Sequence, residues 1–200
     1  MIKNLILRNR TYRRFKETIK IPLSDLKDLV DSARLTPSPR NRQALKFFIS
    51  NTKEQNEKIF KTLSWAGALP DWNGPAEGEK PSAYIIILGD NSILPKVENA
   101  YHDVASGFAA QSILLGAVEK GYGGCTVAAV KRNILRKELN IPEYFDILLV
   151  LALGVPDEKI ILEKMPENGN YDYWRDEKGI HHVPKRSLNE IIIDKFEINT

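Results

Sequence analysis

Hydrophobic and polar positions along this chain alternate between two rhythms. Ile2, Leu5, Ile6 and Asn9 share one helical face, so a short helix opens the sequence. Leu26, Leu29, Val30 and Ala33 form the apolar stripe of a second helix that follows Pro22. Ser24 is placed to cap it, Asp25 and Asp28 suit its first turn, and Pro37 and Pro39 end it. A strand is predicted over 47–49, then a helix carrying Ile59, Phe60 and Leu63. Residues 83–88 read as a buried strand, 125–129 as another, and 147–153 as a third. Between the first two, 97–118 predicts a long helix that is apolar nearly all round, which places it in a core or a dimer interface. A further helix falls near 134–139, and the tail reads as loop-rich up to Arg186. Ser187 and Glu190 have capping-box spacing ahead of Ile191, so a last short segment is expected to be ordered.

Helices and strands do not alternate cleanly, which favours an α+β layered fold over a doubly wound sheet. Gly67, Pro70, Gly74, Pro75, Gly78 and Pro81 crowd into 66–82, predicting a surface excursion. No repeat and no linker divides the chain. It reads as one domain over 1–200, with that excursion and a C-terminal arm from about residue 155.

Composition narrows the function classes. The 200 residues are 42% hydrophobic and 28% charged, the balance of an ordinary globular protein. No apolar run approaches the ~18 residues of a membrane span, and the first residues lack the apolar stretch of a secretory signal. The single cysteine, Cys125, excludes an intramolecular disulfide. A cytoplasmic protein without a membrane partner is expected. The net charge of +3 is too small to argue for nucleic acid, so none is expected.

Candidate chemistry is sparse. Arg10-Thr11-Tyr12-Arg13-Arg14-Phe15 is a basic loop that either binds an anion or forms a solvated surface. Lys185-Arg186 is a second basic pair. The proline-stiffened loop Pro37-Ser38-Pro39-Arg40-Asn41-Arg42-Gln43 either presents amides to a planar polar ligand or simply joins a helix to a strand. Gly121, Gly123 and Gly124 permit tight turning and close approach of a ligand, but they follow a helix and lead into a strand, the reverse of a dinucleotide fingerprint. Cys125 reads as a small buried hydrophobe, and Asp103 as a structural carboxylate needing a partner within an apolar helix. Trp65 and Trp72 flank the excursion and serve either packing or a lid. His181 and His182 should point to opposite sides of an extended segment, and with His102 they make no metal spacing, so no metal is expected.

Taken together these pieces resemble the FMN-dependent nitroreductase family. Asn9-Arg10-Thr11-Tyr12-Arg13-Arg14-Phe15 is similar to that family's Arg-Arg-Ser-x-Arg-x-Phe. Pro37-Ser38-Pro39-Arg40-Asn41-Arg42-Gln43-Ala44-Leu45-Lys46-Phe47 is similar to its Pro-Ser-x-x-Asn-x-Gln-Pro-Trp-x-Phe. Gly121-Tyr122-Gly123-Gly124-Cys125-Thr126-Val127-Ala128-Ala129 is similar to its Gly-Leu-Gly-Ser-Cys-x-x-Gly-Gly, and Lys185-Arg186-Ser187-Leu188 to its basic ending. The motifs keep their order across about residues 2–193.

The resemblance implies a central, mainly antiparallel mixed sheet flanked by helices, in an intertwined homodimer with FMN at the interface. It implies that Arg10, Thr11 and Arg13 serve the flavin from one subunit, with Lys185 and Arg186 at its phosphate. Pro37, Ser38 and Asn41 would reach across from the other subunit. Thr126, Val127, Ala128 and Ala129 would run along the flavin, with the Ala128 N–H near N5 and the Ala129 N–H near O4. Arg13 is the cation assigned to the reduced ring. No side chain is expected to be catalytic, because the flavin carries the chemistry. The implied activity is NAD(P)H-driven reduction of nitroaromatics, quinones or related small acceptors by ping-pong hydride transfer through flavin N5. The alternative is an FMN-binding protein of the same fold with another flavin chemistry or a non-catalytic role. Three departures stand out: Asn9 replaces an arginine, Ala44-Leu45 replaces Pro-Trp, and Ala128-Ala129 replaces Gly-Gly.

Overall fold

The computed structural model describes residues 2–69 and 71–193. They cluster into two compact units, one formed by 2–65 and 73–157, the other by 66–69, 71–72 and 158–193.

The first unit is built on a four-stranded antiparallel sheet in the order β1-β2-β4-β3, formed by β1 (Leu45–Ser50), β2 (Ala83–Asp90), β3 (Gly123–Val127) and β4 (Phe145–Gly154). Every residue of β2 is buried, because the strand is covered on both faces. Ile85 and Ile87 face α2 (Leu23–Arg34) and α4 (Asn99–Glu119), packing with Leu26, Leu29, Ala109, Ile113 and Ala117. Tyr84, Ile86 and Leu88 face the opposite way, toward Ile59 of α3 (Lys53–Phe60) and Leu135 of α5 (Arg132–Leu139). The period-2 alternation of one strand thus sets both helical layers. Cys125 lies in the second of these cores, as its apolar setting suggested.

Several expectations need correction. Pro22, not Ser24, occupies the N-cap of α2, so Ser24 falls inside the first turn and makes no cap. Leu63 lies beyond the end of α3 and bridges Val130. Strand β3 begins two residues early and stops at Val127, leaving Ala128 and Ala129 in a loop. Asp103 sits on the exposed side of α4 and needs no buried partner. That same side leaves Val104 and Phe108 about half exposed. The amphipathic helix α1 (Ile2–Arg8) buries none of its residues.

The glycines before Cys125 have a packing role. A Cβ on Gly123 would stand 2.4 Å from the Tyr12 ring and 2.7 Å from Pro156. One on Gly124 would stand 2.6 Å from Leu114 and 2.7 Å from Leu153. Real Cβ atoms do not approach so closely, so these positions exclude side chains because the protein itself fills the space. No described helix is long and apolar enough to cross a membrane.

The second unit corrects the expectation of a loop-rich tail. It holds a small sheet in the order β5-β7-β6, with β5 (Ile160–Lys164) parallel and β6 (Trp174–Arg175) antiparallel to β7 (His181–Lys185). Trp72 lies within this unit under the Arg175 guanidinium, 4.3 Å from its centre, and Arg175 pairs with the buried Glu158 at 3.0 Å. The short helix α6 (Leu188–Ile191) follows Ser187, whose N–H and hydroxyl both donate to the Glu190 carboxylate, the anticipated capping box. The adjacent histidines do point apart. His181 is buried beside Tyr173, while His182 stacks on Trp174 between Glu163 and Asp176.

Two predictions follow from this packing. Gly123→Ala should cost about 1–3 kcal/mol through overpacking against Tyr12 and Pro156, read by denaturant unfolding; an unchanged midpoint would contradict the packing. The hydrogen bond to Glu163, reinforced by that to Asp176, raises the His182 pKa against the opposing effect of burial. Protonated His182 therefore stabilises the second unit fully below its ordinary pKa of about 6.5, and this contribution is lost as pH climbs through the raised folded value. Amide protection in β7, corrected for intrinsic exchange, should fall with rising pH, and His182→Gln should flatten that dependence. A pH-independent wild-type profile would contradict it.

Candidate functional site

The segment after α1 is laid against the open edge of β3. Thr11 forms a parallel bridge with Gly124, and the Tyr12 N–H donates to Gly124 O at 3.0 Å. Phe15 then bridges Pro156 and is fully buried, and the N–H of Lys16 donates to Val155 O at 2.9 Å. Extended pairing alternates side chains, so Phe15 and Arg13 both turn inward, and Arg13 is only 9% exposed. Arg10 gives its Nη2 to Ile6 O at 2.6 Å, while its Nε is buried with no hydrogen-bond partner among the described residues. The structure therefore brings Arg10, Thr11 and Arg13 together with the strand that ends in Thr126 and Val127.

Beyond Val127 the chain turns with its carbonyls held inward. Ala128 O accepts from Val130 N–H at 3.0 Å and from Arg132 Nη2 at 3.2 Å, and Ala129 O accepts from Ser64 N–H at 2.9 Å. Arg132 also donates to Ile147 O at 2.8 Å and to Leu148 O at 3.2 Å, clamping the turn to β4. Ala128 and Ala129 are exposed, and no described backbone carbonyl accepts from either N–H. Thr126 is exposed just before them. Two adjacent free donors, rigidly backed by bonded carbonyls, suit a planar ligand edge rich in acceptors. Arg132 is a residue that sequence reasoning missed; the available signal was a cation one helical turn past the paired alanines.

The proline-stiffened loop is tightly organised. Arg40, Asn41 and Gln43 have φ of 52°, 52° and 51°, a left-handed backbone that costs a non-glycine residue about 1–2 kcal/mol. The loop is held by Ser38, whose Oγ accepts from Gln43 N–H at 3.1 Å and whose carbonyl accepts from Asn41 N–H at 2.9 Å. Such strain concentrates where a ligand is clamped. Pro37, Ser38 and Gln43 line a cleft of about 130 Å³ with Phe47 and Ala105. Asn41 is exposed beside it, and Arg40 lies over the Tyr101 ring at 5.5 Å. Among the described residues nothing pairs that loop with β3. Lys185 and Arg186 lie in the second unit, Lys185 at the end of β7 and Arg186 3.7 Å from Glu190; both are exposed.

A sequence model of the Nitroreductase family matches residues 6–155, the span that carries the N-terminal arginines, the proline loop and the β3 turn. The chain belongs to the nitroreductase family. The chain is similar in fold to a nitroreductase family protein from Streptococcus pneumoniae, with a TM-score of 0.69 and 16% identity over 98% of this chain and 100% of that one. An FMN-dependent nitroreductase from Clostridium difficile aligns over 78% of this chain and 87% of its own, at TM-score 0.60 and 20% identity. The NADPH:FMN oxidoreductase of Vibrio harveyi, solved with NAD+, aligns over 84% and 74%, at TM-score 0.64 and 20% identity. The α+β fold, with its mainly antiparallel sheet between helices, is that of these proteins.

Arg132→Gln should release the turn, because it removes charge-assisted bonds to three carbonyls. A loss of about 2–3 kcal/mol is expected, together with faster exchange of the Val130 amide. Unchanged exchange there would show that the turn holds its shape without the clamp.

Proposed function

We propose that this family member is an FMN-dependent NAD(P)H oxidoreductase that reduces nitroaromatics, quinones or related small acceptors. The observation that carries this reading is the Ala128–Ala129 turn, whose carbonyls are bonded and whose N–H groups meet no described backbone carbonyl, at the end of the strand that pairs with the segment bearing Arg10 and the buried Arg13. FMN, when bound, supplies the carrier that takes hydride from NAD(P)H and returns it to the acceptor in ping-pong fashion. The protein needs no general acid–base pair for that exchange, and its work is positional and electrostatic. Ala128 and Ala129 donate backbone hydrogen bonds to the edge of the ring system, and Thr126 and Val127 lie along it. Arg13 places a fixed positive charge where the reduced ring gathers negative charge. Arg10, whose Nε has no hydrogen-bond partner among the described residues, serves the phosphate with Thr11. The departures of Ala128-Ala129 from Gly-Gly leave the donors intact, because they are backbone groups.

The same reading makes the protein a homodimer. Val104 and Phe108 on α4, with Ile2, Ile6 and Leu7 on α1, leave an apolar surface uncovered in the single chain. A second copy laid on that surface supplies Pro37, Ser38 and Asn41 to the flavin of the first. Names among the structural relatives, including an NADPH:FMN oxidoreductase and an FMN-dependent nitroreductase, support the cofactor and donor.

The purified protein should be yellow, and anaerobic NADH or NADPH should bleach the flavin bands. Arg13→Ala should weaken FMN binding about tenfold or more, or lower the flavin potential. Absorbance without flavin bands even after FMN is added, or unchanged affinity and potential in the variant, would contradict these assignments.

A further inference from the structure

The peptide that joins Ala128 to Ala129 has a cation bonded to its carbonyl. Ala128 O accepts from the Val130 N–H at 3.0 Å and from Arg132 Nη2 at 3.2 Å. The peptide is trans, and a planar trans peptide directs its N–H opposite to its C=O. The Ala129 N–H therefore points the opposite way from the bonded carbonyl, and no described backbone carbonyl accepts from it. A donor that draws electron density onto the carbonyl oxygen makes the N–H of the same peptide more positive, which is how linked hydrogen bonds strengthen one another. A charged donor does this more strongly than a neutral one.

Three observations separate Arg132 from a plain clamp. The hydrogen bonds it makes among the described residues go to the carbonyls of Ala128, Ile147 and Leu148, and a carbonyl leaves the positive charge unneutralised. Arg136, one turn further along α5, also binds carbonyls, but it lies 3.6 Å from the Glu143 carboxylate. Second, Arg132 opens α5, whose first turn holds no acid. A helix N-terminus carries partial positive charge and favours carboxylates, so a cation there works against the helix and adds to the positive potential beside the turn. Third, the next carbonyl, Ala129 O, accepts from the neutral Ser64 N–H, so the charged backing falls on the peptide that carries the Ala129 N–H.

We propose that Arg132 is a positioning residue that tunes the flavin. Through the Ala128 carbonyl it aims and polarises the Ala129 N–H, so that this donor holds the reduced ring more tightly than the oxidised one. The inference rests on the placing of FMN at this turn under the proposed function. Reduction gathers negative charge on the ring, and a donor strengthened in advance meets that charge without rearranging. Tighter binding of the reduced form raises the reduction potential, by about 30 mV for each tenfold preference in a two-electron couple.

The test measures the potential of bound FMN and the Kd of oxidised FMN in the wild-type protein, Arg132→Lys and Arg132→Gln. Arg132→Gln should weaken reduced FMN about three- to tenfold more than oxidised FMN, a fall of about 15–30 mV. Lysine keeps the charge but not the fork, so Arg132→Lys should hold the ratio within about twofold even where the turn amides exchange faster. Arg132 is exposed, so the gap between wild type and Arg132→Gln should narrow as salt rises from about 20 to about 500 mM. In flavin-free protein, the Ala129 amide proton and nitrogen resonances should move upfield in Arg132→Gln and less so in Arg132→Lys. Equal weakening of both flavin states in Arg132→Gln would make Arg132 a structural clamp and overturn the proposal. A tenfold fall of the ratio in Arg132→Lys would overturn it without reference to Arg132→Gln, whether or not that variant folds. Wild-type protein that binds no FMN would overturn the flavin reading and this proposal with it; wild-type protein that binds FMN, with an unchanged potential in Arg132→Gln, would overturn this proposal alone.

Discussion

The pairing of the N-terminal segment with the open edge of β3 is the constraint on which the candidate site depends. Thr11 and Tyr12 reach Gly124 through backbone bonds, and Gly123 makes room for them, since a Cβ there would stand 2.4 Å from the Tyr12 ring. Gly154 extends the same allowance, since a Cβ there would stand 2.8 Å from the Phe15 ring. With Phe15 locked into this seam, the alternation of an extended chain fixes which way Arg13 turns, and a charged side chain is carried into a buried position. A buried charge is costly unless paired or used, which makes Arg13 a functional candidate. Fold and electrostatics are here set by the same few contacts.

The turn after β3 complements that seam. Its carbonyls are bonded to Ser64, Val130 and Arg132, and no described backbone carbonyl accepts from its two alanine N–H groups. Rigid donors of this kind stabilise developing negative charge without reorganising. The strained loop at Arg40–Gln43 is a second prepared surface, held in shape by Ser38. Among the described residues nothing pairs the two surfaces. The uncovered apolar faces of α1 and α4 supply a physical reason for a second copy, which would bring one loop to the other turn.

Much of this was legible in the sequence, for identifiable reasons. Long elements with a single period, such as α4 and the buried strands β2 and β4, announce themselves through hydrophobic spacing. The capping box at Ser187 is a local signal and forms locally. Short elements were harder to read. Strands β5, β6 and β7 have two to five residues each, and their pairing links positions far apart in the chain. The glycines at 123 and 124 suggested ligand approach, but their neighbours are Tyr12, Pro156, Leu114 and Leu153, contacts that only the folded chain reveals. Arg132 went unnoticed because a lone arginine at a helix start carries no periodic signature, and its importance lies in three carbonyls that tertiary packing gathers around it.

The central claim is that the Ala128 and Ala129 amides face the flavin ring. Its most direct test is a titration of flavin-free protein with FMN, followed through the backbone amide resonances. The account predicts that Ala128 and Ala129 shift among the largest of all amides as FMN saturates, with Thr11 and Arg13 moving at the same ligand concentrations. FMN that saturates while those two alanine resonances stay in place would contradict the account.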